Sequence, residues 1–209
     1  MSIMRLLDLF SGTGSITKQA RQIGWQTTSL DRDLPADIQI DIMDWDYKQM
    51  PPKSFDFIWA SPPCTMYSIA RTTGPPRDIE GSNKIVQRTL DIIDYFKPKY
   101  WCLENPQTGL LKHQDIIKDI PYKDVDYCKY GMLYRKRTRI WNNIDTWKPK
   151  PLCSKVSPCD SLDDTGKRHL AVAQRFPHTK DDSRPRHHQH QLYQVPSLLV
   201  DDILKSARC

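Results

Sequence analysis

Apolar residues come in short bursts along the first two thirds of the chain. Arg5 to Phe10 (RLLDLF), Trp25 to Leu30 (WQTTSL), Ile38 to Ile42 (IQIDI) and Phe55 to Ala60 (FDFIWA) are separated by turn-forming or polar stretches. Runs of this length and makeup predict strands. Between the first two, Ile16, Ala20 and Ile23 fall on one helical face. Gly24 follows where a helix end favours a left-handed residue. A longer helical period runs from Asn83 to Phe96 through Ile85, Val86, Leu90 and Ile93, and Pro98 stops it. Tyr100 to Leu103 (YWCL) predicts a fifth strand and Gly109 to Ile120 a weaker helix. Val125 to Tyr127 and Arg139 to Trp141 predict the last strands. Strand, turn, helix and strand in regular alternation predict an α/β fold with a mostly parallel sheet and crossover helices.

Two stretches break this rhythm. Thr65 to Ser82 is polar, carries Gly74, Pro75, Pro76 and Gly81, and is long enough to predict a functional loop. After Trp147 the chain becomes poor in aliphatic residues and rich in Cys, His, Asp, Ser and Arg up to Gln191. Val195 to Leu204 (VPSLLVDDIL) then predicts a short amphipathic helix with Pro196 in its first turn. The expected organisation is one domain from 1–147 with 192–209, and a small insert, 148–191.

Composition agrees with a single core: 209 residues, 38% hydrophobic, with six Trp and nine Tyr. The net charge of +6 is concentrated. From Lys129 to Lys150 there are seven basic residues (129, 135, 136, 137, 139, 148 and 150) against Asp145 alone, so this segment carries 7 − 1 = +6. Such a patch beside Tyr130, Tyr134, Trp141 and Trp147 predicts a nucleic-acid partner. The N-terminus reads as a strand rather than a signal peptide, and no run is long enough for a membrane helix. The six cysteines are therefore expected to be reduced thiols of an intracellular protein.

Several strand ends carry candidate chemistry. Ser11-Gly12-Thr13-Gly14 follows a strand and opens a helix, where backbone N–H groups can approach a ligand closely. Asp31 ends the next strand, where an acid can take a ribose diol, and Asp41 comes near the end of the third, placed for an adenine amine. With no third glycine and no Walker lysine, a nucleoside cofactor without phosphates, such as S-adenosylmethionine, fits better than NAD or ATP. Ser61-Pro62-Pro63-Cys64 leaves the fourth strand as a stiff turn and presents a thiol. Glu104 ends an apolar strand, and apolar surroundings favour a carboxyl that keeps its proton. Period two sends Arg137 and Arg139 to one face. Cys153, Cys159 and His169, with His187, His188 or His190, have the residue types of a zinc site but neither a Cys-x-x-Cys pair nor regular spacing. The expectation is a loop without metal.

As a set these residues resemble the cytosine-5 DNA methyltransferases, specifically small viral or phage-type members. DLFSGTGS (8–15) is similar to their cofactor turn and SPPC (61–64) to their Pro-Cys nucleophile motif. ENP (104–106) is similar to Glu-Asn-Val, RKRTR (135–139) to Gln-x-Arg-x-Arg, and YQVP (193–196) to Asn-x-Val-Pro. All five occur in family order. Three positions depart from the pattern: Arg135 stands for Gln, Pro106 for Val and Tyr193 for Asn.

The resemblance implies a Rossmann-like class I methyltransferase fold with a very small recognition region. It implies S-adenosyl-L-methionine held by Phe10, Ser11, Gly12, Thr13, Gly14, Ser15, Asp31, Arg32, Asp41, Ile42 and Pro63. The expected reaction is methyl transfer to carbon 5 of a flipped cytosine in double-stranded DNA, by a monomer in the cytoplasm or nucleus of a host cell. Cys64 is the expected nucleophile, Glu104 the partner of ring nitrogen 3, Arg139 a donor to the base carbonyl, and Arg137 a support to Glu104 or the base edge. Arg71 and Arg77, in the long loop, are expected to meet phosphates. Competing readings are an RNA cytosine-5 methyltransferase, an exocyclic-amine methyltransferase and a catalytically silent nucleic-acid binder.

Overall fold

A computed structural model describes residues 3–173, 183–187 and 189–208. Seven strands form one sheet: β1 Arg5–Leu9, β2 Gln26–Asp31, β3 Ile38–Gln39, β4 Phe57–Ala60, β5 Tyr100–Pro106, β6 Tyr122–Asp126 and β7 Arg137–Asn142. The helices are α1 Ser15–Gln22, α2 Ile79–Phe96, the short α3 Gln189–Tyr193, and α4 Ser197–Ser206. The sheet order is β3-β2-β1-β4-β5-β7-β6. The first five strands in that order run parallel, and β7 runs antiparallel to both its neighbours. This is the α/β, Rossmann-like methyltransferase arrangement. No described helix is long and apolar enough to cross a membrane.

Alternation along the strands divides the core in two. Leu6, Phe57, Trp59, Cys102 and Ile140 face α1 and α4, whose Leu199, Val200, Ile203 and Leu204 are buried against them. Leu7, Leu9, Ile58, Ala60, Leu103 and Trp141 face α2. A polar clasp ties the last helix to the first core: Asp202 accepts hydrogen bonds from Trp147 Nε1 at 3.0 Å and Tyr130 Oη at 3.4 Å.

The local differences from expectation have local causes. The third strand was expected to reach Ile42 but stops at Gln39. Asp41 ends it by accepting from Met43 N through its side chain and from Asp44 N and Trp45 N through its carbonyl. Helix α2 begins at Ile79 rather than Asn83 because Asp78 caps it, accepting from Gly81 N at 2.7 Å. The helix expected over Gly109–Ile120 is only a 3-10 turn, Leu110–His113. It stops at Gln114, whose backbone is extended and whose side chain accepts from Asn83 across the loop.

Candidate active site

The carboxyl ends of β1, β2, β4 and β5 open into one cavity of about 420 Å³. Its position between β1 and β4 is the point where strand order reverses, the usual ligand crevice of an open α/β sheet. One end of it is built by the first turn. Gly12 and Gly14 have φ of 54° and 74°, a left-handed conformation that glycine adopts without strain. Phe10, at φ 60°, adopts it with a full side chain that lines the cavity. Asp31 organises this end: its carboxylate accepts from Gly12 N at 2.8 Å and from Asp33 N and Leu34 N at 2.9 Å each. Arg32 bridges Asp33 and Asp41.

Of the eleven residues the sequence points to for the cofactor, ten line this cavity: Phe10, Ser11, Gly12, Thr13, Ser15, Asp31, Arg32, Asp41, Ile42 and Pro63. Gly14 is not on the wall; it sits behind it as the cap residue of α1. Asp8, which opens the DLFSGTGS motif but is not among the expected cofactor contacts, also lines the cavity. It is 1% exposed and accepts from Thr17 N and Thr17 Oγ1. Burial pushes its carboxyl up to about 7, against the pull of the two Thr17 bonds, with the nearby Asp31 charge adding to the rise.

The other end carries Cys64 and Glu104 together. Asn105 fixes their relation, because its Nδ2 donates to Pro62 O at 3.0 Å and so clamps the end of β5 to the Ser-Pro-Pro-Cys turn. Tyr67 N donates to Cys64 O and holds the turn from the other side. Glu104 is buried, and its Oε1 accepts from Tyr127 Oη at 2.9 Å. Burial pushes the Cys64 thiol up, the positive charge of Lys136 pulls it down, and Glu104 adds to the rise.

The two arginines are elsewhere. Arg137 and Arg139 do share a face of β7, as period two requires, but it is the face opposite Glu104. Glu104 pairs across the ladder with Ile140, one step out of phase with both arginines. Arg137 makes a two-pronged pair with Asp126, and Arg139 with Asp124, on the neighbouring strand β6. Arg139 also lies over the Tyr122 ring at 3.4 Å. Neither lines the cavity. Both arginines thus staple β6 to β7. At the Cys64–Glu104 end the cation on the cavity wall is Lys136, just before β7. Its Nζ is 4.0 Å from Glu104 Oε1, donates to Leu192 O at 2.9 Å and lies over Tyr127. The loop arginines also turn inward: Arg77 donates to the carbonyls of Met66, Ser68 and Arg71, and Arg71 to that of Pro75. Tyr193 and Val195 close the cavity from the C-terminal segment.

Comparison with known proteins follows the same lines. The family model of C-5 cytosine-specific DNA methylases matches residues 4–134. The "Probable DNA (cytosine-5)-methyltransferase" of Frog virus 3 (isolate Goorha) is 38% identical over 174 residues, which cover 77% of this chain and 79% of that protein. Among solved structures, a prophage-encoded protein of E. coli described as a DNA modification methyltransferase superposes with a TM-score of 0.50 at 16% identity. The match covers 72% of this chain but only 52% of that one, so the chain spans about half the length of that structure, and at this identity the likeness is one of fold. With the family match covering more than half of its length, the chain belongs to the C-5 cytosine-specific DNA methylases.

Proposed function

We infer that this chain methylates carbon 5 of cytosine in double-stranded DNA through a covalent adduct on Cys64, with S-adenosyl-L-methionine as methyl donor. The observation that carries this reading is the cavity itself, which holds the glycine turn and Asp31 at one end and the Cys64–Glu104–Lys136 group at the other. The first end fits the cofactor chemically. Asp31 offers carboxylate oxygens for a ribose diol. Asn105 Oδ1, at the Cys64 end of the same cavity, is buried with no partner among the described residues, an acceptor that a polar ligand filling the cavity satisfies. Bound there, the cofactor supplies an electrophilic methyl group on a sulfonium.

The chain's own residues supply the rest. Cytosine carbon 5 is a weak nucleophile. The Cys64 thiolate adds to carbon 6, forming an S–C bond and moving an electron pair towards carbon 5 and the ring. Glu104 donates its proton to ring nitrogen 3 as charge builds there, held in place by Tyr127. Lys136 favours the thiolate and balances charge beside Glu104. After methylation a base removes the carbon 5 proton, the S–C bond breaks to release the Cys64 thiolate, and ring nitrogen 3 returns its proton to Glu104. A stacked base cannot reach this cavity, so the target flips out of the duplex. The insert supplies the recognition surface: a cleft lined by Arg135, Lys155 and Lys167 favours phosphates.

Incubation with methyl-labelled cofactor and either DNA or tRNA, followed by nucleoside analysis, tests the reading. Label on 5-methylcytosine of DNA supports it. Label only on tRNA, on the exocyclic amine, or nowhere would overturn it. The Cys64→Ser protein is expected to lose transfer by at least about a thousandfold. Retained turnover in that variant excludes the covalent route.

A further inference from the structure

Cys128, Cys153, Cys159 and His169 converge at the junction of the catalytic domain and the insert. One ligand atom from each lies within 4.8 Å of all the others. Cys153 Sγ is 3.7 Å from His169 Nε2. Zinc held by thiolates at about 2.3 Å and imidazole at about 2.0 Å needs tetrahedral edges of roughly 3.5 to 3.8 Å. The four atoms thus stand near the required separation before any side chain moves. The three cysteines are free thiols, and each is less than 9% exposed. Three soft sulfur donors and one imidazole are a set that selects zinc.

The surrounding chain has little else to hold it. Outside two isolated bridges, Ser154–Ser157 and Leu162–His169, residues 148–173 contain no helix or strand. Their apolar cluster consists of the three cysteines and Leu162. So small a cluster does not offset the entropy of ordering the segment, and small units of this kind use a metal or disulfides instead. The backbone is nonetheless shaped so that the ligands meet. Cys153 N donates to Asp126 Oδ2 at 2.9 Å, which anchors it to β6. Lys129 donates to Ser157 O, Ser157 Oγ and Pro158 O, which sets the turn leading to Cys159. The Leu162–His169 bridge returns the histidine to the same point.

We propose that Cys128, Cys153, Cys159 and His169 form a structural Cys3His zinc site that fastens the insert to the catalytic domain. With four protein ligands the site is closed, which makes it structural rather than catalytic. It was not legible from spacing. Cys128 belongs to the one-turn segment Tyr127–Tyr130, in another part of the chain, and only the fold brings it to the other three. Of the alternative histidines, His187 instead packs on Tyr134 at 4.8 Å. His188 lies outside the described residues, as does the side chain of His190.

Metal analysis of the full-length protein, purified with its thiols reduced, tests the proposal. One zinc per chain is expected in the wild type and in Cys64→Ser, and none in Cys159→Ser or His169→Ala. Should those two variants fail to fold, cobalt substitution of the wild type decides. A tetrahedral cobalt spectrum with thiolate charge-transfer bands supports the site, and an octahedral spectrum overturns it. Zinc-free reduced wild-type protein, a disulfide among the three cysteines, or full zinc retention in both folded variants would each overturn it as well. Because metal content is read without substrate, failure here is distinct from failure of the methylation reading.

Discussion

Asp8 shows how a single buried carboxyl couples the cavity to the fold. Its carboxyl is raised to about 7 by burial, so the folded chain keeps a proton that the unfolded chain, with an ordinary value near 3.8, releases. Between those two values the native state binds more protons than the unfolded state. Stability is therefore fully present below pH 4, falls as pH rises and levels off above pH 7. Asparagine has the same shape, and its amide oxygen can accept both Thr17 bonds. Asp8→Asn should remove this component, so that its stability relative to wild type climbs from pH 4 to pH 8 by a few kcal/mol at most, on the order of one to three. Urea midpoints at pH 5, 6, 7 and 8 check this, and parallel curves for the two proteins would refute it.

At the scale of elements, β7 decides which cation serves the site. Alternation along RKRTR puts Arg137 and Arg139 on a common face, and that much was legible. Which face it is depends on the register with β5 and on the partner strand β6, whose Asp124 and Asp126 attract the arginines away from Glu104. Neither register nor partner is written in the local pattern. Lys136 precedes the strand and escapes its alternation, so it reaches the cavity. The two roles separate by experiment. Lys136→Met is expected to cut kcat/KM at neutral pH by about tenfold or more and to move the rate profile towards alkaline pH, since the thiol loses the charge that lowers it. Arg139→Met leaves the profile in place and instead costs about 2 kcal/mol of stability, because Asp124 loses its partner. An alkaline shift in Arg139→Met, or none in Lys136→Met, would return the arginine to the active site.

For the molecule as a whole, the sheet order separates two tasks along one edge. β1, β2 and the turn after β3 build the glycine-turn end of the cavity, while β4 and β5 deliver Cys64 and Glu104. This division was legible because each strand end carries its own local motif and parallel strands deliver their ends to one edge. The junction with the insert was not, since Cys128 and Lys129 act on residues that follow β7 and a long loop. If the two ends are separable, damage to one leaves the other working. Cofactor at about 100 times its Kd should stabilise the wild type by about 2.7 kcal/mol, which raises Tm on the order of 5 to 11 °C for a chain of this size. Cys64→Ser should keep that rise while losing transfer. Asp31→Ala should lose it, because the carboxylate that holds Gly12 N and faces the cavity is gone. Comparing Tm with and without cofactor corrects for any change that Asp31→Ala makes to the free protein. An equal loss of the rise in both variants would mean that the cavity binds its cofactor as one undivided site.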